Sequence, residues 1–295
     1  VTKARAAMMR DDFCVFILTH GRPDNLPTLK WLNTTHYTGD IKLIVDDQDS
    51  RKQEYIDKYG DMVYVFNKRE SAKKTDLGDN FLKLNTVLIA RNESWDIARE
   101  LGYTHFCEMD DDYSQVRVRA VKDQTLKAYK CTDLDRLFSK MLDFLDDNDK
   151  MHCVAMMQAG DYIGGMGNKY FNPKPGILAP RKVMQTFFCR IDRPFKFVGR
   201  MNDDVNTYVT LGNRGVLFMS LHVLCLLQGI TQANAGGLTD MYKEMGTYVK
   251  SFYTVMMCPS AVVVKPMGPV HKRFHHQINW NLCVPKIISG KYKKQ

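Results

Sequence analysis

Near the start of the chain, six successive apolar residues, Phe13-Cys14-Val15-Phe16-Ile17-Leu18, restrict the fold more than any other stretch. Side chains alternate faces along a strand, so an unbroken apolar run belongs where both faces are covered, in the middle of a parallel sheet. The run stops at Thr19-His20-Gly21-Arg22-Pro23, a polar turn with Gly and Pro punctuation, and a helix is expected around Leu26 to Leu32. Ile41-Lys42-Leu43-Ile44-Val45 reads as a second strand and ends in acids, Asp46-Asp47-Gln48-Asp49. A short helix and a third strand, Met62 to Phe66, follow. Strand, helix, strand, helix, strand is the doubly wound α/β pattern. The longest helical periodicity then runs from about Asn80 to Leu101, with Leu84, Val87, Leu88, Trp95, Ala98 and Leu101 at helical spacing and Gly102 as its stop.

That helix leads to Phe106-Cys107-Glu108-Met109-Asp110-Asp111-Asp112-Tyr113, where three consecutive carboxylates emerge at the C-terminal end of a strand. Ligand crevices of α/β sheets lie at such ends. Alternation sets Asp110 and Asp112 on one face and Asp111 on the other, a pair able to share one hard divalent cation. Charges so crowded repel unless a cation or a basic group neutralises them, and a solvated acidic turn is the bland alternative.

The 295 residues fit one large α/β domain or one domain with an appended lobe, and the 44% hydrophobic content is enough for a core. Lys+Arg 42 against Asp+Glu 33 gives a net charge of +9, which favours a polyanionic partner such as nucleic acid. The eight cysteines are scattered singly with no C-x-x-C spacing, and read as buried free thiols of a reducing compartment rather than a disulfide frame or zinc site. No signal peptide opens the chain and no run approaches the roughly 18 to 20 apolar residues of a spanning helix. A soluble, cytoplasmic protein that does not engage a membrane is expected.

Beyond Tyr113, Arg117, Arg119 and Lys122 alternate with valines in a basic strand or loop. An amphipathic helix, capped by Thr132 and Asp133, runs to about Asp146, and its stripe of Leu134, Leu137, Phe138, Met141, Leu142 and Leu145 reads as core. Met151 to Met157 is a strand that opens into the glycine- and aromatic-rich loop Gly160 to Pro173, which has few hydrophobic anchors and lacks the spacing of a phosphate loop. Gln185 to Ile191 is another strand, followed by Phe197-Val198-Gly199-Arg200-Met201-Asn202-Asp203-Asp204 and a helix from Val205 to Leu211. One acid of the pair could simply cap that helix. Val216 to Leu227 reads as a buried strand pair, Ala261 to Val264 as a last strand, and Lys286 to Lys294 as a basic tail.

Val15 to Pro23, Leu43-Ile44-Val45-Asp46-Asp47, Ala90-Arg91-Asn92 and Met109-Asp110-Asp111-Asp112, in that order over about 115 residues, resemble the nucleotide-sugar half of GT-A glycosyltransferases, the family-2-like ones in particular. The later motifs, Phe197-x-Gly-Arg-x-Asn-Asp-Asp and Gly236-Gly237-Leu238-Thr239, resemble the TET-associated glycosyltransferases of bacteriophages, which act on 5-hydroxymethylcytosine in DNA. The resemblance implies one Rossmann-like GT-A domain over residues 1–295, with a nucleotide-sugar-binding half of about 11–115 and an acceptor half of about 116–295. It implies a UDP-sugar donor and Mn²⁺ or Mg²⁺ held by Asp112 with Asp110 and His271, His275 and His276 being rivals for the third place. Asp110 or Asp111 would bond the ribose, Asp46 or Asp47 the uracil edge, and Thr19, Arg22 and Arg91 the base or phosphates. Asp204, with Asp203 as the alternative, would be the general base of an inverting transfer, in a host cytoplasm if the chain is phage-encoded. A retaining path stays open if Asp204 lies away from the sugar carbon. Competing expectations are a polysaccharide, lipid or protein acceptor, and a non-catalytic nucleic-acid-binding module.

Overall fold

Phe13–Leu18 is strand β1, buried along its whole length. The computed structural model describes residues 9–123, 125–158, 186–229, 239–267 and 273–283, and every element named here lies within them. α1 (Pro27–Thr34), β2 (Asp40–Asp46), α2 (Lys52–Tyr59), β3 (Val63–Phe66), α3 (Lys68–Lys73), α4 (Leu88–Glu100) and β4 (His105–Asp110) follow. β1 pairs parallel with β2 on one side and with β4 on the other, and β2 pairs parallel with β3. Strand order therefore reverses at β1, so a crevice opens where the C-terminal ends of β1 and β4 diverge. In register, Leu18 lies beside Ile44 and Asp110, which brings Thr19, Asp46 and the aspartate triplet to one edge.

The residues of β1 show why the run is apolar throughout. Phe13, Val15 and Ile17 join a core with Leu32, Phe138 and Leu142, whereas Cys14, Phe16 and Leu18 join a second core with Trp95, Phe106 and Phe197. Helices cover both faces of the sheet, as the Rossmann-like GT-A class requires.

The second half comprises β5 (Tyr113–Lys122), β6 (Thr125–Lys130), α5 (Leu134–Asp146), β7 (Met151–Gln158), β8 (Thr186–Arg190), α6 (Asp203–Gly212), β9 (Leu217–Gln228), α7 (Thr239–Met257), β10 (Val262–Met267) and β11 (Arg273–Ile278). Asp133 caps α5 by accepting from Arg136 N at 3.0 Å. β8 runs antiparallel beside β4 and joins the two halves in a nine-stranded sheet of order β3-β2-β1-β4-β8-β7-β9-β5-β6, while β10 and β11 form a separate ladder. The basic stretch after Tyr113 is thus a strand, β5.

Three sequence expectations change. Residues 80–87 are not the first turns of α4, which begins at Leu88, because Arg200 takes up the carbonyls of Phe81 and Lys83. Val216 to Leu227 is one strand, β9, rather than two; Ser220 pairs in register with Ala155, and His222 falls where the register with β7 slips between Met156 and Met157. β11 and most of α7, which is kinked at Gly246, were not anticipated. The Gly160 to Pro173 loop, His271, Gly236-Gly237 and the basic tail lie outside the described residues. All eight cysteines are free, and only Cys131 is more than slightly accessible. Among the described residues no helix is long and apolar enough to cross a membrane.

Candidate active site

The C-terminal ends of β1, β2 and β4 and the first residues of α3 and α4 enclose a cleft of ≈ 290 Å³, lined by Thr19, His20, Arg22, Asp46, Lys68, Asn85, Thr86 and all three residues Asp110, Asp111 and Asp112. A larger concavity of ≈ 500 Å³ beside β10 and β11 has no acid in its lining. Four carboxylates, Asp46, Asp110, Asp111 and Asp112, meet the basic side chains of His20, Arg22 and Lys68 in the first, which makes it the candidate site.

Strand β4 ends at Asp110, and Asp111 and Asp112 form the turn into β5. The buried Thr28 of α1 shapes that turn: its Oγ1 donates to Asp110 O (2.7 Å) and accepts from Tyr113 N (2.9 Å), and its N–H donates to Asp111 O (3.1 Å). The Asp111 carboxylate is held in the protein, accepting from Thr19 Oγ1 at 2.6 Å and facing Arg22 Nη2 at 3.1 Å. Because the single hydroxyl proton of Thr19 serves Asp111, Tyr55 donates to Thr19 at 2.9 Å, and Tyr55 Oη itself accepts from Arg22 N at 2.7 Å. Burial pushes Asp111 up to about 6 against the pull of Arg22 and Thr19. Asp112 differs. One carboxylate oxygen accepts from Gln228 Nε2 at 3.2 Å, and the other is buried without a hydrogen-bond partner. Burial, and then the charge of Asp110, raise this carboxyl to about 6.

Three acids at and just after the end of β2 serve the turn and the far wall. Asp46 accepts from His20 Nδ1 (2.8 Å) and Lys68 Nζ (3.1 Å). Burial would raise its pKa, but these two partners more than offset that and hold it below the usual carboxylate value. Asp47 accepts from Lys68 N at 2.9 Å and so fixes the start of α3. Asp49 accepts from Gly21 N at 2.6 Å, a turn that needs the positive φ (+72°) that glycine adopts freely.

Arg91, 5% exposed, links the two ends of the site. Its guanidinium lies over the rings of Phe187 and Phe197 at 4.9 and 5.6 Å, donates from Nη2 to Asp110 Oδ1 at 3.2 Å, and approaches Asp203 Oδ2 at 3.0 Å without a directed hydrogen bond. Asp203 and Asp204 open α6 behind Asn202, whose left-handed backbone (φ 54°) and side-chain bond to Lys250 O at 2.7 Å set the helix entry. Burial raises Asp203 to about 6, with Arg91 opposing. Asp204 is half-exposed, with one oxygen accepting from Val205 N at 2.7 Å. The bland reading of the pair accounts for part of Asp204 and for nothing of Asp203.

Glu108, 1% exposed on β4, faces the same cluster with neither carboxylate oxygen hydrogen-bonded. Burial drives its pKa well above the usual value despite Arg91. The folded protein therefore keeps a proton that the unfolded chain releases above about pH 4.5, so stability falls as pH rises toward the folded pKa. Asp111, Asp112 and Asp203 act in the same sense only up to about 6. The melting temperature of Glu108→Gln should therefore fall less steeply with rising pH than that of the parent. Parallel slopes would place the titration elsewhere.

Arg200, fully buried, anchors residues 79–83. Nε and Nη2 each meet Asp79 at 2.8 Å, Nη2 also donates to Phe81 O at 3.0 Å, and Nη1 donates to Lys83 O. Tyr253 Oη donates to Asp79 as well. Thr86 Oγ1 closes the arrangement by donating to Arg200 O at 3.0 Å.

Of the residues singled out in the sequence, the cleft gathers Thr19, Arg22, Asp46, Asp110, Asp111 and Asp112, and Arg91 connects Asp110 to Asp203. Asp47 is engaged by the backbone behind it. His275 and His276 lie in β11 and are absent from the cleft lining. Sequence reasoning missed His20, Lys68, Thr86, Glu108 and Arg200. His20 and Lys68 could have been sought as basic partners for acids at strand ends, since a buried carboxylate requires one. Among the described residues no three His, Cys, Asp or Glu side chains form a metal-ready set. Asp110 and Asp112 nonetheless fit a hard cation completed by ligand oxygens, because Asp112 carries a buried oxygen that no protein donor satisfies.

No curated protein matches the chain. The family model of the TET-associated glycosyltransferases matches residues 13–237, from the first residue of β1 to beyond the end of β9, and so spans the cleft, Arg91 and the acid pair. The chain belongs to the TET-associated glycosyltransferase family.

Proposed function

We propose that this glycosyltransferase moves a sugar from a UDP-sugar to the hydroxyl of 5-hydroxymethylcytosine in DNA, with inversion at the sugar carbon and with Mn²⁺ or Mg²⁺ on the donor diphosphate. Membership of a family that glycosylates modified DNA bases supports the reaction class. The observation that carries the finer reading is that the buried guanidinium of Arg91 pairs both with Asp110 of the triplet and with Asp203 of the acid pair.

Asp112 and Asp110 would hold the metal, and His271 is the proposed third ligand. When bound, the ion would neutralise charge developing on the leaving diphosphate. Asp46, kept ionised by His20 and Lys68, is suited to accept from the uracil edge or a ribose hydroxyl. Arg22 sits beside the diphosphate position, with Asp111 and Thr19 orienting it from behind. Asp204 takes the proton from the acceptor hydroxyl as that oxygen bonds to the sugar carbon and the bond to the diphosphate oxygen breaks. Asp203 keeps Arg91 charged and in place.

The hairpin of β5 and β6 supports a DNA acceptor. It carries Arg117, Lys122, Lys127 and Lys130, besides the buried Arg119, against the one acid Asp123, and Arg117 stands opposite Lys130 in register. Like charges opposed across a strand pair are unfavourable, and a phosphate backbone laid along them relieves the repulsion.

The test is nucleoside mass spectrometry after incubating the protein with Mn²⁺, a panel of UDP-sugars and hydroxymethylcytosine-containing DNA. A hexose or pentose mass should appear on the hydroxymethylated base and not in unmodified DNA. UDP-sugar hydrolysis with no addition to DNA would move the acceptor elsewhere.

A further inference from the structure

We propose that Phe81 and Leu82 form a wedge that enters the base stack of duplex DNA beside the nucleotide being glycosylated. This rests on the reading above that the acceptor is a base in DNA. Leu82 is 97% exposed and Phe81 53%, two large apolar side chains side by side in a segment with no helix or strand. Packing does not account for them, since both turn away from the core.

The segment beneath them is held firmly. The fully buried guanidinium of Arg200 binds Asp79, Phe81 O and Lys83 O, which flank the tip on both sides. Asp79 also accepts from Phe81 N at 3.0 Å, and the backbone N–H groups of Gly199 and Arg200 donate to Asp76 O (3.0 Å) and Leu77 O (2.9 Å). A loop that only connects α3 to α4 needs no buried arginine on two of its carbonyls. The same segment continues into Asn85, Thr86 and Val87, which line the cleft, and Arg200 precedes Asp203 by three residues. The apolar tip is therefore joined to a wall of the cleft three residues further along the chain, and through Arg200 to the acid pair.

A base whose substituent must reach a recessed cleft has to leave the helix, and its neighbours then lose stacking on one side. Side chains such as Phe and Leu, inserted between base steps, occupy that space and bend the duplex. An exposed apolar pair on a firmly held segment that leads into the cleft wall, on a protein of net charge +9, matches that task.

The experiment compares the parent with Phe81→Ala/Leu82→Ala on hydroxymethylcytosine in a duplex and in a single strand, with Mn²⁺ and the UDP-sugar that the parent uses. Transfer to the duplex should fall about 10-fold or more, while transfer to the single strand, where nothing has to be unstacked, should change by less than about 2-fold. Phe81→Leu/Leu82→Met, which keeps an apolar wedge, should retain most duplex activity. Equal losses on both substrates, or none, would overturn the wedge and leave the DNA reading intact. If the parent modifies neither substrate, the DNA reading fails and the wedge with it. Loss of a parent dimer in the alanine variant, seen by sedimentation, would assign the tip to a second copy and overturn the proposal.

Discussion

Asp112→Asn is expected to lower sugar transfer by about 10³-fold while leaving the protein folded. The asparagine keeps the shape and the contact with Gln228, so the turn after β4 should survive. It removes the charge at a buried carboxylate oxygen of the cleft that no donor in the protein satisfies. It also relieves repulsion from Asp110, so the melting temperature should hold or rise. Calorimetric titration of UDP with and without Mn²⁺ is the check: the variant should lose the metal-dependent part of binding. Retained metal dependence would end the assignment of Asp112 as a ligand. Asp111→Asn supplies the contrast, because that carboxylate joins Thr19 to Arg22 and its loss should appear first as reduced stability.

The second large effect separates two neighbours. Asp204→Asn should reduce turnover by about 10² to 10⁴-fold with donor binding unchanged, the signature of a lost general base. Asp203→Asn should act differently, because it leaves Arg91 buried with only Asp110 at ion-pair distance. Breaking a buried pair costs about 3–5 kcal/mol, and the disturbance should reach Asp110, so stability and donor affinity fall together. Steady-state kinetics beside a UDP titration distinguish the two. Equal loss of donor binding and turnover in Asp204→Asn would make Asp204 structural.

Features set by neighbours in sequence were legible before the structure. An all-apolar β1 flanked by covered faces, acids at the ends of β2 and β4, and the division of the triplet into outward Asp110 and Asp112 and inward Asp111 all follow from local pattern. Even there the cause differs in part: Thr28 holds Asp111 and Asp112 in a turn, where a simple pleat was expected. What failed was set at long range. The helical spacing from Asn80 to Val87 is real, but Arg200, more than a hundred residues away, takes those carbonyls for itself. Lys68 and His20 looked like ordinary surface residues until Asp46 was seen between them. Nothing local could show that β8 would enter antiparallel beside β4 and carry Phe187 under Arg91.

Arg91 also bears on how the chain is made. Synthesis delivers β1 to β4 first, and their parallel pairing needs nothing that comes later. The aromatic bed and second carboxylate of Arg91 are Phe187, Phe197 and Asp203, which leave the ribosome about a hundred residues after it. Until they arrive, that guanidinium has a strong reason to stay in water, and α4 cannot settle fully on the sheet. The first half of the sheet is thus completed by the second, and a fragment ending before residue 186 should hold its strands yet leave the cleft open.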